Sequence, residues 1–181
     1  MLKIGDKKLI GAWAFYDWAN SVYSLVISTA VFPLFYSAIT EGKTVVFLGM
    51  KWDHADTLYS YALSFSFLVV AFMSPILSAI ADYTGNKLKF MKFFCWLGGL
   101  SVMFMYFFED LNTAWIGIVC TILASIGFWS STVFYNSYLP EVAHPEQQDA
   151  ASAKGFIYGY IGSIILLIFC CACCWASCSR E

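Results

Sequence analysis

Charge is scarce in this sequence. Only 12% of its 181 residues are Asp, Glu, Lys or Arg, about half the share found in ordinary soluble domains. Hydrophobic residues reach 60% and the mean hydropathy is +0.70. A soluble globule of this size would have to show much of that apolar surface to water. A soluble enzyme does not fit. No basic surplus exists either: a net charge of −2 gives no field for nucleic acid, which is not expected as a partner. The strand-period alternation of a membrane barrel is missing, as are solenoid repeats, long linkers and any solvent domain.

What is present is a set of uncharged runs. They cover Trp18–Thr40 (23 residues), Thr57–Ala81 (25), Phe93–Phe108 (16), Leu111–Pro140 (30) and Gly155–Ser179 (25). A helix needs roughly 20 apolar residues to cross a hydrocarbon layer, and inside lipid only helices satisfy every backbone polar group. The 16-residue run gains length from Met91 if Lys92 snorkels. The expectation is an all-α integral membrane protein with five helices, at about 9–39, 57–81, 90–108, 113–136 and 153–175. A cleaved signal is a poor account of the first run, which outlasts a signal core, carries Asp17 and is followed by four more.

With the amino terminus in the cytoplasm, Lys3, Lys7, Lys8, Lys87, Lys89, Lys92 and Lys154 lie inside, and Lys43, Lys51 and Arg180 outside. That asymmetry follows the positive-inside bias and predicts a multi-pass cell-membrane protein, with short loops that point to a bacterial inner membrane. Glu41–Asp56 reads as an outer loop and Glu141–Ala153 as the longest polar inner loop, with Pro140 and Pro145 ending the fourth helix and shaping the turn.

Two helices carry polar stripes. Asp17, Asn20, Ser21, Ser24 and Ser28 fall within one sector of the first helix at about 100° per residue. A carboxylate costs a few kcal/mol in a membrane helix and so normally faces a bundle interior or a water cavity. Asp17 is thus a candidate solute or proton site; the competing reading has it solvated at the interface near Lys7 and Lys8, among the belt residues Trp13, Tyr16 and Trp18. Pro33 can kink the same helix. On the fourth helix Thr121, Ser125, Trp129, Thr132 and Asn136 share a face, lining a pathway or bonding a neighbouring helix. The candidate pathway residues are Asp17, Asn20, Ser21, Ser24, Thr132 and Asn136.

Between helices two and three, Asp82-x-x-Gly85-x-Lys87 forms a turn that Gly85 permits through its backbone freedom. The fifth helix opens with the small residues Gly155, Gly159, Gly162 and Ser163, a packing signal. Cys170, Cys171, Cys173, Cys174 and Cys178 crowd the end of the chain, but no His or carboxylate accompanies them, so neither a metal site nor a cofactor is expected. Cys95 and Cys120 read as small apolar helix residues.

The Asp82–Lys89 loop resembles the signature between helices two and three of the major facilitator superfamily. Tyr16-Asp-Trp-Ala-Asn-Ser21, Tyr135-Asn-Ser-Tyr-Leu-Pro-Glu141 and Ser152-Ala-Lys-Gly-Phe-Ile-Tyr-Gly-Tyr160 narrow the likeness to the branch of the vacuolar, autophagy-related amino-acid effluxers and their bacterial relatives. The resemblance covers about residues 10–168. It departs at Ser78, where the signature usually has Gly, and at Tyr83 and Asn86, where basic residues are common. It implies twelve helices in two halves, alternating access, a cavity lined by helices one and four, and gating contacts at Asp82, Gly85 and Lys87. On that reading residues 1–168 are a partial amino-terminal six-helix bundle, and 169–181 a cysteine-rich tail that a frameshift would explain. The expected function is a secondary transporter, not an enzyme, moving small polar solutes, with amino acids one candidate class and protons a candidate coupling ion. Its other partner is the lipid bilayer. The alternatives are a membrane thiol-redox protein using the terminal cysteines and a non-transporting scaffold.

Overall fold

A computed structural model describes residues 3–178, leaving out the side chains of Ala81, Thr84, Cys174, Ala176, Ser177 and Cys178. The elements in chain order are α1 (Lys7–Val22), a π-helical stretch (Tyr23–Val31), α2 (Phe32–Thr40), β1 (Val45–Phe47), β2 (Met50–Trp52), α3 (Ala55–Thr84), α4 (Lys87–Phe104), α5 (Ala114–Ser137), α6 (Leu139–Val142) and α7 (Pro145–Cys178). Single 3-10 turns follow α4 and precede α5. Among the described residues, five segments are long and apolar enough to cross a membrane: Lys7–Thr40, Ala55–Ile80, Lys87–Phe107, Leu111–Ser137 and Pro145–Cys173. Side chains such as Phe72 (71% exposed), Trp96 (70%) and Met103 (69%) stand outward from them. Such apolar surface is stable against lipid and not against water. This is an all-α membrane protein.

The chain divides into two compact units, one made of the segments Met1–Ala30 and Tyr138–Glu181 and the other of Val31–Ser137. In the first, α1 packs along α7. The Asp6 carboxylate caps α1 by accepting the Lys8 N–H at 2.9 Å. Both helices run the same way, because a Cβ on Gly5 would meet His144 and Gln147, one on Gly11 the Lys154 ammonium, and one on Gly159 the Asp17 and Ser21 side chains. Two odd-numbered spans must run parallel, so this register agrees with the order of spans. α7 begins at Pro145, not near residue 153 as expected, and takes most of the supposed inner loop into its first turns. Pro145 therefore starts a helix and ends none. Its missing N–H has no helical partner to lose at that position, and Glu146 beside it suits the positive end of the helix.

In the second unit α5 lies between α3 and α4 and packs on both. Gly98 and Gly127 let α4 and α5 approach until a Cβ on Gly127 would sit 2.6 Å from the Gly98 backbone nitrogen. Beside this crossing Phe94 and Phe134 stack at 6.0 Å with Met73, Leu77 and Leu97 around them. A second aromatic cluster gathers Phe32, Tyr36, Tyr59 and Phe108, with ring centroids 5.7–6.0 Å apart.

Two further expectations are corrected. The segment read as an outer loop holds an antiparallel hairpin, Val45 opposite Trp52 and Phe47 opposite Met50. Its turn residues Leu48 and Gly49 have φ of 51° and 78°, the left-handed pair that a tight hairpin requires. The first span is not α-helical throughout: it winds as a π-helix over Tyr23–Val31 before Pro33 enters α2. Proline cannot return a hydrogen bond to the carbonyl four residues back, so the preceding turns widen, and the Thr29 hydroxyl donates to the Ser24 carbonyl five residues earlier at 2.7 Å.

Candidate functional site

The polar stripe of the first span is real over α1 and altered beyond it. Asp17, Asn20 and Ser21 lie in α1, where the α-helical angle holds, and the Ser21 hydroxyl donates to the Asp17 carboxylate at 3.3 Å. Ser24 and Ser28 fall in the π-helical stretch, where that angle no longer applies, so they do not continue the stripe in the assumed geometry. Asp17 and Ser21 are half-buried against α7: a Cβ on Gly159 would lie 2.5 Å from the Ser21 hydroxyl and 3.1 Å from Asp17 Oδ2. Gly162 likewise lies under the Trp18 ring, 3.0 Å from where its Cβ would be. The small-residue face of α7, read as packing alone, is the wall against which the carboxylate sits. Trp13 is buried and Trp18 packs on α7.

The stripe of the fourth span lies on α5, and much of it is bonded within its own helix. Thr121 and Ser125 are buried, and the hydroxyls of Thr121 and Thr132 donate to the Gly117 and Phe128 carbonyls at 2.8 and 2.9 Å. Trp129 packs on Phe67 of α3 with centroids 5.5 Å apart. Asn136 is exposed near the end of the helix. Of the candidates on α5, Thr132 is half-buried and Asn136 open, so these two have the accessibility a pathway residue needs.

The Asp82 loop joins three helix ends. Asp82, in the last turn of α3, pairs with Lys87 at the start of α4 at 3.0 Å. The same ammonium donates to the Ser137 carbonyl at the end of α5 at 3.5 Å. A cation there meets the negative end of the α5 dipole and one of its unpaired carbonyls. Gly85 turns the chain between them with φ of 64°, and its surroundings are open. Asp82 remains 65% exposed while Lys87 is 16% exposed, so the anchored partner is the lysine and the carboxylate is the accessible one. The role of Ser137 was beyond sequence reasoning, because it contributes a backbone atom fifty residues from Lys87.

Among the described residues no three His, Cys, Asp or Glu side chains converge as a metal site would require. Cys170, Cys171 and Cys173 lie on α7 and form no disulfide, and the Cys174 and Cys178 side chains lie outside the described residues.

The chain is similar to a set of membrane proteins. It is 39% identical over 158 residues to an uncharacterized MFS-type transporter, YxiO, of Bacillus subtilis (strain 168), covering 87% of this chain and 35% of that protein. It is 27% identical over 161 residues to an uncharacterized protein of Aquifex aeolicus (strain VF5), covering 87% and 37%. It is 25% identical over 172 residues to autophagy-related protein 22 of Coccidioides immitis (strain RS), covering 75% and 28%. The chain thus spans about a third of the length of these relatives. No solved structure matches it. The family model of the Atg22-like vacuole effluxers matches residues 5–181, running through the cysteine-rich end and past residue 168, where the motif resemblance stops. With five apolar spans and a relative named as an MFS-type transporter, that match identifies the chain as a member of the Atg22-like effluxer family within the major facilitator superfamily.

Proposed function

We propose that the chain forms the amino-terminal part of a secondary carrier that moves small polar solutes by alternating access. Residues 1–168 would supply most of one six-helix half, with its amino terminus in the cytoplasm of a bacterial cell. The observation that carries the reading is Asp17. It is a carboxylate on a membrane-spanning helix, bonded to Ser21 and packed half-buried against Gly159 of α7. Keeping such a group in a span costs a few kcal/mol, a cost that selection tolerates where the group handles a solute or a proton. Asn20 extends the polar surface on α1, and Thr132 and Asn136 offer amide and hydroxyl groups on α5. Amino acids fit as solutes because they bring both a cation for the carboxylate and polar groups for the amides. The exposed Asp82 carboxylate, preset by Lys87, is the gating group, available to a cationic or helix-terminal partner in the closed state.

The test is uptake into vesicles. The complete product of the gene that encodes this chain should concentrate a labelled polar solute above empty vesicles. Vesicles holding the 181-residue chain alone should not, since a cavity between two halves needs both. Saturable uptake by the short chain, or none by the complete product for any polar solute, would overturn the reading.

A further inference from the structure

The side of α4 turned away from α5 carries an ordered set of groups. Phe94 and Leu97 cluster with Phe134 of α5 and so mark the side of α4 that faces the bundle. On the opposite side Lys92, Trp96, Gly99 and Met103 fall within about 60° of one another at about 100° per residue, with Lys89 and Cys95 on the flanks. Each of these residues is exposed. Lys92, Cys95 and Trp96 line an open groove of about 270 Å³.

The span begins at Lys87, so Lys89 lies at its edge and Lys92 about 7.5 Å inside it. Neither ammonium has a hydrogen-bond or ion-pair partner among the described residues. Snorkelling toward the headgroups would by itself account for Lys92. It does not account for the two residues further in. Trp96, about 6 Å deeper than Lys92, stands outward, and its indole N–H has no acceptor among the described residues. Gly99, about 4.5 Å deeper again, has nothing within 4 Å of where a Cβ would stand. Glycine inside a helix is a destabilising choice against alanine, and no close approach within the chain requires it here.

We propose that this face of α4 binds an anionic phospholipid, with the phosphate on Lys92 and Lys89 beside it, the glycerol esters at the Trp96 indole N–H, and one acyl chain laid over Gly99. Charge complementarity selects the occupant. Two ammonium groups without partners at the end of a span meet the headgroup layer, where lysine clusters hold acidic lipids. The order of groups agrees as well. Along α4 the face offers a cation, then a donor, then an open notch. A phospholipid presents phosphate, ester carbonyls and hydrocarbon in that same order from water inward. Tryptophan suits the middle position, because its ring is apolar and its N–H is polar. The groove is smaller than most small-molecule pockets, which fits a headgroup whose chains lie outside it. The proposal needs the membrane span alone and is independent of Asp17 and of transport. Only the leaflet, the cytoplasmic one, follows from the orientation proposed above.

The test uses the complete product of the gene that encodes this chain, in detergent, titrated with phosphatidylglycerol or phosphatidylcholine brominated on the acyl chains. Contact is read as the Trp96 fluorescence that bromine quenches, taken as the difference between each protein and its own Trp96→Phe counterpart. Phosphatidylglycerol should quench at a concentration about tenfold lower than phosphatidylcholine does. Lys92→Gln should weaken phosphatidylglycerol by about tenfold and leave phosphatidylcholine unchanged, whereas Lys92→Arg should keep the preference to within a few-fold. Gly99→Leu should weaken both lipids by a similar factor, because it fills the notch and leaves the charges alone. Inorganic phosphate should not displace the lipid. Thermal midpoints without lipid show whether each variant folds; should Lys92→Gln fail to, Lys89→Gln should still lower the preference a few-fold. Several results would each overturn the proposal: equal affinity for the two lipids in the wild type, a preference that survives loss of either lysine, or unchanged binding of both lipids by Gly99→Leu. Displacement by inorganic phosphate would overturn it in favour of a free anion. Trp96 quenched by neither lipid would overturn it too, as happens where another segment of the longer protein or a second copy covers α4.

Discussion

Three glycines at or beside the α4–α5 crossing should respond in different directions to the same substitution. A Cβ on Gly127 would lie 2.6 Å from the Gly98 nitrogen and 2.8 Å from both the Gly98 Cα and the Phe94 carbonyl oxygen, all backbone. Backbone cannot rotate away, so α4 and α5 must separate, and overpacking of this kind costs about 1–3 kcal/mol. Alanine recovers up to about 1 kcal/mol through helix propensity, which leaves a net loss of about 1–2 kcal/mol. At Gly98 the nearest atoms to the new Cβ are 3.6 Å away, ordinary contact, and Gly98→Ala should keep most of that propensity gain. At Gly99 nothing lies within 4 Å, and Gly99→Ala should gain about 0.5–1 kcal/mol. In a chain of this size 1 kcal/mol moves a thermal midpoint by about 2–4 °C. Thermal unfolding in one detergent should therefore place Gly99→Ala and Gly98→Ala above wild type and Gly127→Ala below it. A Gly127→Ala midpoint at or above that of Gly99→Ala would refute the close crossing.

Other substitutions probe the remaining packing. Tyr36→Phe removes a buried hydroxyl that has no hydrogen-bond partner, so the midpoint should hold or rise, whereas Phe32→Ala empties the same cluster and should cost about 3–5 kcal/mol. Asp82→Asn should change stability by less than about 1 kcal/mol because the carboxylate is mostly solvated, yet should shift cysteine labelling of the Gly85 turn in the complete gene product; unchanged labelling with full transport would leave the loop as a topology signal. Lys87→Met should be the more damaging of the pair in the same thermal assay, since it also strips the Ser137 carbonyl of its donor.

The spans were legible because their signal is long and redundant: each needs only the absence of charge over about twenty residues. Features a few residues long were not. The hairpin strands have three residues each, and Leu-Gly at the turn lacks the Asn or Asp that marks such hairpins in sequence. The early start of α7 was masked by the polarity of Glu146–Asp149, which composition reads as loop although a helix end tolerates it. Ser24 was misplaced because residue angles assume an α-helix, and nothing local announces a π-helical stretch except Pro33 after it. Asp17 and Ser21 were found through their spacing of four. Their partner Gly159 was not, because a contact across 138 positions leaves no trace in one sequence.

The most direct test of the account is solute uptake by the complete gene product with Asp17 replaced. Asp17→Asn keeps the size of the side chain and the hydrogen bond from Ser21, so membrane insertion and expression should match the wild type. Uptake should be abolished and its pH dependence lost, while Asp17→Glu, which keeps the charge and alters its reach, should retain part of it. An Asp17→Asn protein with full uptake and an unaltered pH profile would contradict the central claim and leave Asp17 as a packing residue of the α1–α7 seam.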